Sequence, residues 1–128
     1  MLHSNYAHYP LLFTRGGANG QGPVVEAGWG EEWYVASGYK GPRAFKVPDD
    51  WLQFTGHYRN EDPWIGSVRI VLRRGKLWMN GVIPLEPAEN GRFYLRDEPD
   101  SPEWVSFSDL VNGRTMQMRL SGNVLWRV

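Results

Sequence analysis

The sequence contains no cysteine among its 128 residues. Disulfide bonds, thiolate metal sites and cysteine nucleophiles are therefore excluded, although this absence does not fix the cellular compartment. No apolar run approaches the ~20 residues that a transmembrane helix requires. Residues 1–13 also lack the basic segment followed by an apolar one that is typical of a signal peptide. We therefore expect a soluble protein without a membrane partner, and we favour the cytoplasm.

An excess of charge of either sign is also missing, because 14 Lys and Arg residues balance 14 Asp and Glu residues. No long-range field would attract nucleic acid or an anionic membrane. The arginines of the second half alternate with apolar residues, which is how a strand keeps its outer face hydrated. We therefore predict no nucleic-acid partner and expect these arginines to point outward: Arg69, Arg73, Arg92, Arg96, Arg119 and Arg127.

Glycine, proline and tryptophan are abundant, with 15, 9 and 7 copies respectively. Many turns between short aromatic-rich segments are typical of an all-β chain, and this length predicts one domain. Residues 1–47 carry most of the Gly-Pro clusters, so we predict an extended arm or linker there. Residues 48–128 are predicted to hold the folded domain.

The domain is predicted to begin with a short helix, PDDWLQF at 48–54, with Asp49 or Asp50 as its N-cap. From residue 56 onward, apolar residues recur at every second position, which is the period of a strand. Asn90-Gly91 and Asn112-Gly113 are strong hairpin turns. About eight short strands follow one another, and closing them into a ring removes exposed edges. The predicted fold is a single antiparallel up-and-down β-barrel.

The inward-facing residues of such a barrel either fill its core or line a small apolar cavity. We interpret them as a filled core, since several of them are bulky enough to close the interior. If the interior is a cavity instead, ten residues would form its ligand-binding surface: Tyr58, Ile70, Leu72, Met79, Phe93, Leu95, Phe107, Met116, Met118 and Trp126.

Catalytic motifs are incomplete. Ser37 and Lys40 form an S-x-x-K pattern, which in some acyl-transfer enzymes places a serine nucleophile beside a lysine base at the start of a helix. Glycines 38 and 41 and Pro42 argue against a helix there. Tyr58-Arg59-Asn60 satisfies Y-x-N, but no K-T-G element follows. We predict no catalytic residue in this chain.

Metal ligands are also not expected. His3 and His8 lie near the start of the chain, and no strand or helix period places them on one face. His57 alternates with Tyr58, so it should face solvent. The acidic pairs Glu31-Glu32, Asp49-Asp50 and Glu61-Asp62 are explained by helix capping and loop solvation. We predict neither a metal nor a cofactor.

The stretch FTGHYRNEDPWIGSVRIVLRRGKLWMNG at 54–81 resembles the C-terminal module of β-lactamase-related serine hydrolases. That family often carries G-x-Y-R, then N-P-W or D-P-W, then a V-V-x-R-x-G-x-L hairpin. SPEWVSF at 101–107, VNGR at 111–114 and LSG at 120–122 are similar to its later strands. The resemblance covers about 49–128. Its elements in the first stretch are Gly56, Tyr58, Arg59, Asp62, Pro63, Trp64, Val68, Val71, Arg73, Gly75 and Leu77.

The resemblance implies a lipocalin-like, eight-stranded barrel that accompanies a catalytic domain, in cis or in trans, without supplying catalytic residues. We therefore predict an accessory module that shapes or covers the active site of a serine hydrolase. The alternatives are a standalone binder of a small apolar ligand and a hydrolase that uses Ser37. Aromatic residues of the arm are predicted to pack on the barrel or on a second copy, so a homo-oligomer through the arm stays open.

Overall fold

A computed structural model of the chain describes residues 9–17 and 19–128. The described part is built mainly of strands, as predicted, and within it no helix is long and apolar enough to cross a membrane. Three strands come first: β1 (Leu11–Arg15), β2 (Val24–Trp29) and β3 (Glu32–Val35). The helix α1 (Trp51–Phe54) follows, and then eight strands: β4 (Gly56–Arg59), β5 (Ser67–Arg73), β6 (Lys76–Met79), β7 (Ile83–Pro87), β8 (Arg92–Leu95), β9 (Trp104–Val111), β10 (Arg114–Leu120) and β11 (Asn123–Arg127).

Strands β4 to β11 form a closed antiparallel barrel, which confirms the predicted fold class. Each strand pairs with its neighbour in sequence, and β11 closes the ring by pairing with β4, Trp126 opposite Arg59. Helix α1 contacts β10 and β5 at one end, which we call the helix end. The opposite end, called the loop end, carries the connections 60–66, 80–82, 96–103 and 121–122.

Two hairpins explain why neighbouring strands pair so tightly. Arg74 and Gly75 join β5 to β6 with φ angles of 55° and 73°. Asn112 and Gly113 join β9 to β10 with φ angles of 51° and 76°. Two successive positive φ angles match the right-handed twist of the flanking strands, which is why such turns favour asparagine and glycine.

The barrel interior is an apolar core, in which Tyr58, Leu77 and Leu125 are completely buried. Most of the residues predicted to face inward lie there or at its margin. Six of them are buried: Tyr58, Ile70, Met79, Phe93, Leu95 and Met118. Three are half-buried: Leu72, Phe107 and Met116.

Trp126 is the exception, and its predicted inward position is wrong, since 53% of its surface is exposed. The segment VLWRV is apolar at both parities, so a period of two does not determine which face is buried. In the structure, Leu125 lies opposite Met118 across the β10–β11 ladder and fills the core. In β10 the buried position near the helix end is likewise Thr115 rather than Met116.

Two arginines predicted to face solvent do not do so. Arg73 is 5% exposed, because the N-terminal sheet covers that part of the outer barrel wall. Arg127 shares the parity of Leu125, and its guanidinium bonds to groups that close the helix end. Both positions depend on segments that are distant in sequence, so strand alternation alone could not reveal them.

The arm contains more regular structure than the sequence predicted. Strands β1, β2 and β3 form an antiparallel sheet in that order. One face of this sheet, which includes Glu26 and Gly28, packs against the β5–β6 hairpin of the barrel. Four aromatic residues of the arm were predicted to pack on the barrel or on a second copy: Trp29, Trp33, Tyr34 and Tyr39. Trp33 contacts Arg74 of the barrel through its ring and Tyr39 packs on Trp33, whereas Trp29 and Tyr34 are exposed.

Candidate functional site

Aromatic side chains fill the helix end of the barrel. Phe54 of α1 stacks on Phe107 with ring centroids 4.5 Å apart, and Trp51 meets Phe93 edge-on at 5.6 Å. Tyr58 lies 5.9 Å from Phe107 on the inner side. Aromatic pairs at these separations are favourable beyond their burial alone. Phe93, Phe107 and Tyr58, three of the residues predicted as a ligand-binding surface, therefore pack against one another and against α1, as core residues do.

A polar network lies around the Tyr58 hydroxyl. This hydroxyl donates to the carbonyl oxygen of Phe54 at 2.7 Å and lies 2.8 Å from the Thr115 hydroxyl. The Arg127 guanidinium donates to Tyr58 and to the carbonyls of Gln53, Thr55 and Thr115, at 2.7 to 3.1 Å. These bonds tie α1, β4, β10 and β11 together, so the network has a structural role.

Gly56 makes this network possible. Its φ angle is 145°, and a Cβ placed there would lie 2.0 Å from Nη1 of Arg127. Only glycine tolerates both the backbone conformation and the close approach. The Gly56 and Tyr58 positions of the G-x-Y-R pattern are thus explained by how the barrel is closed.

We expect the Tyr58 hydroxyl to make the stability of the fold sensitive to alkaline pH. Burial raises the pKa of Tyr58 above 10.0, more than the Thr115 hydrogen bond and the Arg127 charge lower it. Below about pH 10 the phenol is neutral in both the folded and the unfolded states, and its contribution is fully present. As pH rises above that value the unfolded chain loses the proton first, so stability falls.

The measurement is thermal unfolding followed between pH 8 and pH 11, for the wild type and for Tyr58→Phe. The variant is expected to be less stable at pH 8 but to lose less stability on raising the pH. Equal slopes in the two proteins would show that Tyr58 does not carry this pH dependence.

Arg73 joins the N-terminal sheet to the barrel wall. Its guanidinium donates to the carbonyls of Gly30 at 2.7 Å and Gly81 at 3.1 Å, and lies 4.2 Å from the Trp78 ring centroid. A Cβ at Gly28 would lie 3.0 Å from Nε of Arg73. Burial lowers the pKa of Arg73, and the Arg74 charge acts in the same direction. The sheet therefore packs closely on the barrel.

Glu26 supplies a second contact between the two parts. Its carboxylate lies 3.2 Å from Nε of Arg74 and accepts a hydrogen bond from the Trp33 indole at 3.1 Å. Trp33 in turn meets Tyr39 and Phe45 edge-on, at 5.8 and 5.5 Å. These contacts orient the sheet so that its other face points away from the barrel.

That other face is apolar and exposed. Leu11 lies opposite Trp29, and Phe13 lies opposite Ala27, which is itself opposite Tyr34. The exposed fractions are 54% for Leu11, 60% for Phe13, 36% for Trp29 and 56% for Tyr34. We call these five residues the outer sheet face. A contiguous apolar patch of this kind is typical of an interaction surface.

This face could not be predicted from the sequence, because its residues are spread over three short strands separated by glycine-rich turns. The alternation of Leu11 with Phe13, and of Ala27 with Trp29, is the signal that was available. It indicates a strand but not which side the barrel covers.

A groove of about 690 Å³ lies outside the barrel wall near the helix end. Charged and polar groups occur throughout its lining, including Gln53, His57, Arg114 and Arg127. A second cavity of about 440 Å³ lies between residues 44–46 and the β5–β6 hairpin. The mixed lining of the larger groove does not match an apolar carrier site, for which enclosed apolar walls are typical.

The residues considered for catalysis and metal binding were Ser37, Lys40 and the histidines. Ser37 lies in a turn in which the Tyr39 amide bonds to the Ala36 carbonyl at 2.9 Å, and not at the start of a helix. Within residues 9–17 and 19–128, no group of three or more His, Cys, Asp or Glu side chains could hold a metal ion. His57 is half-buried, while His3 and His8 lie outside the described residues.

The fold defines the chain as an all-β protein in which an eight-stranded antiparallel barrel carries a small three-stranded sheet on its outer wall. No protein-family model, curated protein or solved structure matches it.

Proposed function

We propose that this chain is a non-catalytic accessory module of a β-lactamase-related serine hydrolase, and that it docks on the catalytic domain through its outer sheet face. The module would shape or cover an active site that the other domain carries. The sequence resemblance over residues 49–128 supports the choice of partner. The exposure of the outer sheet face is the observation that supports docking.

Physical arguments favour a surface role over an internal one. The barrel interior is packed with aromatic and aliphatic side chains, and the polar groups at the helix end bond to one another. Phe13 and Tyr34, in contrast, leave more than half of their surface in water. Full burial of an apolar side chain of this size is worth about 1.5–3 kcal/mol, so a partner that covers the exposed part of each would gain affinity.

The outer sheet face is also held on a rigid support. Three hydrogen-bonded strands carry it, and Arg73 and Glu26 fix its orientation from the barrel side. A preorganised surface loses little conformational entropy when it binds. The same rigidity would let the barrel hold a fixed position beside an active site.

The proposal is tested by using the chain as bait in a lysate of its source organism. Captured proteins are treated with a fluorophosphonate, which labels reactive serines covalently, and are identified by mass spectrometry. We expect the wild type to capture a labelled β-lactamase-related hydrolase. Phe13→Glu should reduce that capture at least about tenfold, because it places a charge in the docked face.

Leu110→Glu is the matched control, since Leu110 is 57% exposed but lies in β9, away from the outer sheet face. It should capture the hydrolase as the wild type does. Capture of no serine hydrolase would contradict the proposal. Labelling of the chain itself, lost in Ser37→Ala, would contradict it in another way by making the chain an enzyme.

A further inference from the structure

Trp64 is the most exposed large apolar residue described, with 96% of its surface in contact with solvent. It lies in the β4–β5 connection at the loop end, far in sequence from the outer sheet face. A single exposed aliphatic residue needs no explanation, but a tryptophan held fully in water is unusual. Tryptophan is also among the residues most enriched in binding hot spots.

The connection that carries Trp64 is ordered by its own hydrogen bonds. The Asp62 amide donates to the Asn60 side chain at 2.6 Å, and the Trp64 amide donates to Oδ1 of Asp62 at 3.0 Å. The amides of Ile65 and Gly66 both donate to the Asp62 carbonyl. This loop is therefore a closed turn and not an open coil.

The turn is also fastened to the barrel. The Asn60 amide donates to the Gly66 carbonyl at 2.8 Å, and its side chain donates to the Val124 carbonyl at 2.6 Å. Ile65 packs against the core. The backbone that presents Trp64 is thus fixed, and a partner that binds the indole would not have to order the loop first.

Charge at the loop end is strongly negative. The connections 80–82 and 121–122 carry no charge, while 60–66 and 96–103 carry six carboxylates and one guanidinium, for a net charge of −5. The guanidinium, Arg96, is already paired with Glu86. Since the whole chain has a net charge of +0, these connections are acidic relative to the rest, and Arg59 is the basic residue that directly precedes the first of them. The carboxylates belong to Glu61, Asp62, Asp97, Glu98, Asp100 and Glu103.

We propose that the loop end is a second docking site, and that its partner is an arginine- or lysine-rich protein segment that places a cation on the Trp64 indole. Tryptophan is the best aromatic partner for a cation, and the carboxylates of Glu61 and Asp62, which flank Trp64 in its own connection, attract the same charge. Arginine fits best, because its planar guanidinium stacks on the ring while its donors reach carboxylates in a fork. This site goes beyond the proposed function and does not depend on it.

The same charge pattern argues against an anionic surface as the partner. An exposed tryptophan is also typical of proteins that enter the membrane interface. Carboxylates at this density, however, would repel a bilayer of anionic lipid and the phosphates of nucleic acid. Charge complementarity therefore favours a basic protein segment.

The test titrates the full chain with an acetylated hexa-arginine amide and follows the indole N–H resonances by NMR. The chain has seven tryptophans, and the resonance of Trp64 is the one that disappears in Trp64→Phe. We expect this resonance to shift saturably, more strongly with hexa-arginine than with hexa-lysine, and less as salt is added. Trp64→Ala, measured by anisotropy of a labelled peptide, should weaken binding about threefold or more.

Trp126→Ala is the matched control. Trp126 is 53% exposed but lies beside Arg59 and Arg127, where a cation is not expected to bind. It should leave the affinity unchanged, whereas Glu61→Lys should weaken it. Equal affinity of wild type and Trp64→Ala, or peptide shifts confined to other residues, would overturn the proposal. A Trp64 resonance that responds to phosphatidylserine vesicles but not to the peptide would also overturn it, in favour of a membrane.

Discussion

Replacement of Gly56 by alanine is expected to lower the free energy of unfolding by about 3 kcal/mol. At a φ angle of 145° a side chain is strained, and the new Cβ would collide with Nη1 of Arg127. Arg127 would have to move, which would break its bonds to the carbonyls of Gln53, Thr55 and Thr115. Urea unfolding followed by tryptophan fluorescence measures the loss.

Gly113→Ala gives the cost of alanine at a left-handed turn position where no collision occurs. Gly113 also has a positive φ angle, 76°, but a Cβ there would meet nothing within 4 Å. We expect it to cost about 1 kcal/mol, the usual value for alanine in a left-handed turn. If the two variants were equally destabilised, the packing of Arg127 against Gly56 would contribute nothing, and the described closure of the helix end would be wrong.

The second large effect is expected at Leu125. Leu125→Ala removes a completely buried side chain opposite Met118 and should cost about 3 kcal/mol. Trp126→Ala removes a larger side chain from a position that is 53% exposed, and should cost less than about 1 kcal/mol. Denaturant midpoints of the two variants, with unchanged slopes, give the comparison.

The comparison of Leu125→Ala with Trp126→Ala tests the register of β11. The sequence pattern predicted that Trp126 faces the interior, whereas in the structure Leu125 does so. A larger loss for Trp126→Ala than for Leu125→Ala would mean that the strand is shifted by one residue, because such a shift exchanges the two faces of a strand.

The barrel itself was predictable because its signals are local. In β5, Val68 and Ile70 alternate with Ser67 and Arg69, which lie on the outer face of the strand, and Asn112-Gly113 marks the turn that lets β9 and β10 pair. Each of these features is decided by a few neighbouring residues. A sequence of such hairpins leaves little choice of topology, so the closed ring follows.

Features that depend on distant segments were not predictable. Arg73 looks like an outward-facing strand residue until β2 and the turn after it cover the guanidinium. Arg127 looks the same, and only the closed ring brings it to Tyr58, 69 positions away. No local period encodes which arginines another segment will cover.

The two candidate surfaces also combine local features that were predictable with distant ones that were not. The sequence shows Trp64 close to the acidic pair Glu61-Asp62, but it does not show that Trp64 is fully exposed. The outer sheet face requires β1, β2 and β3 to align, and requires the barrel to take the opposite face. The sequence of the arm is weakly periodic and rich in glycine turns, so it predicts neither condition.

In both proposals the barrel is a scaffold, and its binding surfaces lie on the outside. The interior fixes α1 and the strands, the network at Arg127 closes the helix end, and Arg73 orients the N-terminal sheet. Such a protein should recognise macromolecules through the outer sheet face and the loop end, and should not carry small apolar molecules.

The most direct test of this claim is a titration with a long-chain fatty acid, followed through the side-chain methyl resonances of Met79 and Met118, both of which lie in the core. A packed interior predicts that neither resonance shifts at stoichiometric ligand and that tryptophan fluorescence is unchanged. Saturable shifts at both methionines would show that the barrel opens to a ligand, and would contradict the account.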